Sequence, residues 1–241
     1  MKRSLVVHLM LLPLLLFGLA NTDARSSEPP GTQTPRPWYA SELDGFAASD
    51  LTNFPPSCAI LFTGSSSIRL WESLARDMAP APVINRGFGG STIADVADSF
   101  DQVVAPYNPK AIFFYAGEND VNAGRSPASV FSDFRRFMAL KSEALGDVPV
   151  YFISLKPSKL RFNQRGGQSK VNAMVRRLAR RHRDLHFIDV VPAMLDRGKP
   201  RHIYREDGLH MTEKGYRLWT DLIRPAVLSE AARRTKRCPK G

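Results

Sequence analysis

From about residue 59 onward, short apolar runs alternate with longer amphipathic stretches, and few folds accept that pattern. The apolar runs lie at Ala59–Thr63, Val83–Ile84, Ala111–Ala116, Val148–Ser154 and His186–Val191. Between them, Ile68–Met78, Thr92–Ala105, Pro127–Leu145 and Gln168–His182 read as helices, and a last helix is expected from about Thr212 to Ala232. The third helix has the clearest start, with Ser126 as cap and Pro127 at the first helical position. Within it Val130, Phe134, Phe137, Met138 and Leu145 recur near helical spacing and are expected to pack into the core. Strands separated by helices pair in parallel, because a parallel pair needs a long crossover, and the crossovers cover both faces of the sheet. The pattern predicts an α/β domain on a five-stranded parallel sheet, with no internal repeat.

Ligands of such sheets bind beyond the carboxyl ends of the strands. The first run is followed by Gly64-Ser65-Ser66-Ser67, the second by Asn85-Arg86-Gly87-Phe88-Gly89-Gly90-Ser91, and the third by Gly117-Glu118-Asn119-Asp120. The loop beyond the fifth carries Asp207-Gly208-Leu209-His210. Each cluster has a plainer meaning on its own. Serines before a helix are usually caps, an asparagine can cap a turn, and Asp and His are common in surface loops. The glycine-rich segment fails the dinucleotide template, since Thr92 occupies the position that needs Gly or Ala. The G-x-S-x-G elbow of the α/β-hydrolases is absent. Placed on one sheet edge, however, the clusters supply a hydroxyl, a carboxylate that can orient an imidazole, and donors for an oxyanion. Any serine of the triplet Ser65–Ser67 could be the hydroxyl at this stage.

Taken in order, the four clusters resemble those of the SGNH (GDSL-type) hydrolases, over most of the chain from Ala59 to the final helix. That family's Gly-Asp-Ser block corresponds to Gly64-Ser65-Ser66, with Ser65 in place of the usual Asp. The resemblance implies Ser66 as nucleophile, Asp207 and His210 as orienter and base, and Ser66, Gly90 and Asn119 as oxyanion donors. It also implies a flavodoxin-like three-layer α/β/α sandwich that hydrolyses ester bonds with no metal or cofactor. A lysophospholipase, a thioesterase or a catalytically silent glycan- or surface-binding module are the other readings of the same fold. No large lid insertion is evident, which favours a short acyl group such as acetyl on a carbohydrate or other polar alcohol. The loop Lys156–Lys170 carries Lys156, Lys159, Arg161, Arg165 and Lys170. From it Lys156 and Arg161 are expected at an anionic or polyhydroxylated substrate, a solvated basic loop being the alternative.

The domain limits follow from the flanks. Lys2 and Arg3 precede an apolar run, Leu5–Ala20, interrupted by His8 and Pro13 and followed by small residues suited to cleavage. Residues 1–24 are therefore expected to be a signal peptide, 25–50 a flexible lead-in, 51–232 the hydrolase domain and 233–241 a basic tail. Export to the periplasm or outside the cell is expected, without stable membrane insertion afterwards. A net charge of +11 raises the question of nucleic acid. Much of it sits in Arg176, Arg177, Arg180, Arg181, Arg183 and the tail, with no nucleic-acid-binding motif beside it, so none is expected to bind. The two cysteines suit an oxidising compartment. A last helix running antiparallel to the strands ends near their amino edge, where Cys58 lies, and a Cys58–Cys238 disulfide is expected.

Overall fold

A computed structural model describes residues 36–234 and Cys238. The expected signal peptide at 1–24 and most of the tail at 233–241 lie outside the described residues. The elements in chain order are α1 (Ala40–Thr52), β1 (Ile60–Gly64), α2 (Ser66–Arg69), α3 (Leu74–Met78), β2 (Val83–Gly87), α4 (Ile93–Asp98), α5 (Phe100–Val103) and β3 (Ala111–Tyr115). There follow α6 (Glu118–Asn122), α7 (Pro127–Leu145), β4 (Val150–Ile153), α8 (Arg165–Ala179), β5 (Leu185–Ile188), α9 (Val191–Met194), β6 (Leu195–Asp196), β7 (Lys199–Pro200) and α10 (Glu213–Ala232). β1 to β5 form one parallel sheet in the order β2-β1-β3-β4-β5, while β6 and β7 make a small antiparallel pair. Helices α4, α7 and α8 pack side by side, and α10 packs with α3 and β1. The result is a flavodoxin-like α/β fold, with helices flanking the sheet.

The central strands are buried end to end: no residue of β3 exceeds 0% exposure, and Ile60 to Phe62 of β1 stay at or below 1%. Register turns the apolar runs into two aromatic rows. Phe62, Phe113, Tyr151 and His186 are cross-strand neighbours, with successive ring centroids 4.9, 4.6 and 4.5 Å apart. One residue further along each strand, Phe114, Phe152 and Phe187 stack at 6.0 and 6.1 Å. Side chains alternate across a strand, so the two rows line opposite faces of the sheet. No described helix is long and apolar enough to cross a membrane.

Several expected elements differ in extent. The Ile68–Met78 helix is two, α2 and α3. Trp71 turns between them into the core against Tyr216 and Trp219 of α10, and its indole N–H donates to Asp77 at 2.7 Å. The Thr92–Ala105 helix likewise breaks at Ser99, which is 3% exposed. The fifth run stops being a strand at Ile188, and Val191 begins α9 instead. The largest difference lies ahead of residue 51: α1 occupies ground expected to be flexible. Tyr39, Leu43 and Phe46 recur at helical spacing, the first two 6% exposed, so this helix has a core face of its own. The compact unit accordingly begins at Pro37.

The sulfurs of Cys58 and Cys238 form a disulfide, Cα atoms 5.7 Å apart, joining the segment just before β1 to the segment beyond α10. It sits at the amino edge of the sheet, away from the loops that carry the polar clusters.

Candidate active site

Parallel register sets Gly64, Gly87 and Tyr115 side by side at the carboxyl ends of β1, β2 and β3. Ser66 lies two residues beyond its strand, Gly90 three and Asn119 four, so all three arrive on one edge. The turn after β1 is tight. Gly64 has φ +131°, and a Cβ there would stand 1.9 Å from the Tyr115 carbonyl oxygen, which no side chain tolerates. The Ser65 N–H then donates to that carbonyl at 2.8 Å, and the Phe88 N–H donates to the Gly64 carbonyl at 2.9 Å. Both ends of the turn are thereby tied to neighbouring loops. Ser66 opens the short helix α2, partly exposed, with Ser65 and Ser67 buried at 3% and 2%. Of the three serines, Ser66 is the one presented to the edge.

Its hydroxyl stands 3.0 Å from His210 Nε2, although 144 residues separate them. His210 Nδ1 stands 2.6 Å from Asp207 Oδ2. The acid is itself fixed by backbone: its Oδ1 accepts the N–H groups of Leu209 at 2.8 Å and His210 at 2.9 Å. Gly208, at φ +65°, closes this turn, and its carbonyl accepts the Leu160 N–H at 2.9 Å. Partial burial would raise the Asp207 pKa, but the Leu209 N–H, His210 and its N–H outweigh it and hold the carboxyl down to about 2. Asp207 is ionised at any pH where the protein would work. A hydroxyl, an imidazole and a fixed carboxylate in line form the arrangement in which a serine can lose its proton to a histidine.

Asn119 comes to the same edge at the start of α6. Its Nδ2 donates to the Ser91 carbonyl at 2.9 Å, which ties it to the Gly90 loop, and the amide retains a second N–H. Its Oδ1 accepts from Arg161 at 2.9 Å. Arg161, expected to meet substrate, is therefore bonded to Asn119, with its side chain only 12% exposed.

Lys156 is a clearer correction. It was expected to face substrate, yet it is 1% exposed and its ammonium lies 2.5 Å from Glu118. Glu118 also accepts from the Tyr115 hydroxyl at 2.7 Å and from Ser158 at 2.8 Å. Burial would raise its pKa; Lys156 and these hydrogen bonds outweigh that and lower it. An ion pair so enclosed holds the β4–α8 loop beneath Asn119. Basic character alone cannot tell such a lysine from a solvated one; the only sequence signal was Glu118 beside Asn119.

Three further residues were missed. Glu42 of α1 accepts the Gly89 N–H at 3.0 and 3.1 Å and lies 3.5 Å from Arg69. Trp38 lies over Gly90, where a Cβ would meet its ring at 2.8 Å. Asp120, fully buried, accepts the Ile93 N–H at 3.1 Å, and burial pushes its pKa up to about 6. Nothing in the loop pattern signals the first two, because they come from a segment remote in sequence. A cavity of about 730 Å³ between α7 and α8, lined by Phe131, Met138, Leu178 and Arg181 among others, contains none of these site residues. Among the described residues no group of three or more His, Cys, Asp or Glu side chains is placed to hold a metal ion.

The model of the GDSL-like lipase/acylhydrolase family matches residues 53–218. The chain belongs to that family. Solved structures from it and from carbohydrate esterases share the fold. A GDSL-like lipase from Bacteroides thetaiotaomicron is 19% identical with a TM-score of 0.65, over 78% of this chain and 97% of that one. A family 3 carbohydrate esterase of Clostridium thermocellum is 15% identical with a TM-score of 0.59, over 73% and 100%. A carbohydrate esterase of family 3 from Talaromyces cellulolyticus is 18% identical with a TM-score of 0.57, over 72% and 98%. At these identities the likeness is one of fold. No curated protein matches the chain.

Proposed function

We propose that this GDSL-family acylhydrolase is an exported serine esterase that removes a short acyl group, acetyl foremost, from a carbohydrate or other polar alcohol. The observation that carries the chemistry is the continuous Ser66–His210–Asp207 contact on the sheet edge that also presents Gly90 and Asn119. His210 Nε2 takes the Ser66 proton as Oγ bonds to the acyl carbon, and the carbonyl π pair moves to oxygen. Asp207 holds Nδ1–H and stabilises the imidazolium that forms. The Ser66 and Gly90 amides and the Asn119 carboxamide receive the oxyanion, each such donor contributing about 3–4 kcal/mol in a protease of comparable design. The oxyanion then collapses and expels the alkoxide, which leaves as alcohol with the proton from His210. Water, deprotonated by His210, hydrolyses the acyl-enzyme and returns Ser66 Oγ–H.

Family membership supports ester hydrolysis, and the fold shared with carbohydrate esterases supports a polar alcohol. The amino-terminal Lys2-Arg3 and the apolar run after it support export. The direct test is labelling with a fluorophosphonate followed by peptide mapping. Modification at Ser66, lost in Ser66→Ala, is the expected result; no labelling of correctly folded protein overturns the serine mechanism. An ester panel of increasing acyl length with one leaving group tests the rest. Turnover should fall steadily from acetyl, whereas an optimum beyond about eight carbons would favour the lysophospholipase reading.

A further inference from the structure

The five exposed large apolar residues among those described are Trp38, Leu51, Phe54, Leu160 and Leu222. Lone exposed apolar side chains are ordinary. Trp38 is not ordinary in its position. It is 64% exposed, yet its ring lies against Gly90, close enough that a Cβ on that glycine would stand 2.8 Å from the ring. The ring is braced from behind by Tyr39 at 5.4 Å, edge to face, and Tyr39 is anchored on Phe88 at 5.0 Å. The indole is thus a held plane beside an expected oxyanion donor.

Its surroundings are polar. One turn along α1, Glu42 is 28% exposed and pairs with Arg69, itself 45% exposed, beside Gly89. On the other side of Ser66 in sheet order, Arg161 reaches Asn119, and Leu160, 61% exposed, stands against the Asp207–His210 turn. An exposed aromatic ring at Gly90, with a carboxylate and a guanidinium beside the adjacent Gly89, matches the two chemistries of a pyranose ring. The ring's axial C–H groups carry partial positive charge and suit the negative face of an aromatic ring, while its hydroxyls need donors and acceptors around the periphery. An extended acyl chain would gain nothing from the charged margin.

We propose that Trp38, with Glu42 and Arg69 beside the neighbouring Gly89, is the platform on which the sugar ring of an esterified carbohydrate stacks as its acyl group is offered to Ser66. The inference rests on the esterase reading and names the alcohol side of its substrate. It gives the amino-terminal segment a part in specificity: the turn before α1 brings the platform, and α1 the carboxylate that holds the Gly89 amide.

The other two tryptophans, Trp71 and Trp219, are 1% and 0% exposed, so quenching of fluorescence by acrylamide reports mainly on Trp38. The experiment uses Ser66→Ala protein, in which bound ester is not consumed, with monoacetylated methyl glucopyranoside and with ethyl acetate as an ester lacking the ring. The glucopyranoside should reduce quenching saturably by about half, and ethyl acetate at equal concentration should not. In otherwise wild-type protein, Trp38→Ala should raise KM for the glucopyranoside at least fivefold more than KM for ethyl acetate. Trp38→Phe should recover most of that difference, and Leu51→Ala, on an exposed residue elsewhere on α1, should change neither. Equal effects on both esters would reduce Trp38 to a support for Gly90 and overturn the proposal, as would equal protection by both. The two readings fail separately. Saturable protection without fluorophosphonate labelling of Ser66 would leave a sugar platform and remove the hydrolase; labelling without protection would do the reverse.

Discussion

Arg161 holds the oxygen of the Asn119 carboxamide, and a carboxamide whose oxygen is claimed can turn only its nitrogen toward an oxyanion. On the proposed mechanism this makes Arg161 a positioning residue. Asn119→Ala should lower kcat by about 10²–10³, the range seen when one oxyanion donor is removed. Arg161→Gln should cost less, about tenfold, with KM on a neutral acetate ester nearly unchanged. Arg161→Lys should not restore it, since an ammonium lacks the planar fork. An Arg161→Gln protein with wild-type kcat and raised KM would return this residue to substrate binding. Behind it, Lys156→Met would leave the buried Glu118 with only the more distant Arg161, 3.9 Å away, as a cationic partner, a loss of about 3 kcal/mol readable in denaturant melts. Adding Glu118→Gln should recover much of that stability. Asp207 adds a pH signature. Its carboxyl titrates at about 2 in the folded protein against 3.8 for an unperturbed one, so its stabilisation is complete above about pH 4 and disappears as pH falls toward 2. The stability gap between wild type and Asp207→Asn should therefore be flat from pH 5 upward and narrow below pH 4.

At the scale of elements, α1 is what loop reading could not see. The four polar clusters were legible because each follows its own strand, and a parallel sheet delivers all such loops to one edge. Glu42 and Trp38 reach that edge from α1 and from the turn just ahead of it, both before the first strand, through contacts no local spacing encodes. Glu42→Ala should withdraw a charged acceptor from the Gly89 amide. A hydrogen bond to a charged group is worth about 1.5–3 kcal/mol, so turnover should fall about tenfold or more if that bond holds the oxyanion loop. Thermal melts should stay close to wild type, because Tyr39 and Leu43 still anchor the helix and Asp50 still meets Arg86 and Tyr107 at its far end. The broken helices were illegible for a related reason. Trp71 fits a continuous helical period well enough, and only the presence of α10 above it makes turning into the core more favourable than continuing the helix.

For the molecule as a whole, the apolar runs alone were enough to set the sheet and its two covered faces, because a strand buried on both sides has almost no choice of residue. The charged residues were the harder part, since Lys156 and Lys159 look alike in sequence and differ entirely in burial. The Cys58–Cys238 bond spans 180 residues, and a closure of that length stabilises by roughly 2–5 kcal/mol through the unfolded chain. Reduction should lower the denaturant midpoint accordingly while leaving turnover of the still-folded protein unchanged, because the bond lies at the edge opposite Ser66. The wide separation of Ser66 from His210 has its own consequence during synthesis. On the proposed mechanism, a ribosome will have released the nucleophile long before it makes the base. Every shorter nascent chain would then carry an unactivated serine, and the proposed esterase would be silent until residue 210 had emerged and folded back beside Ser66.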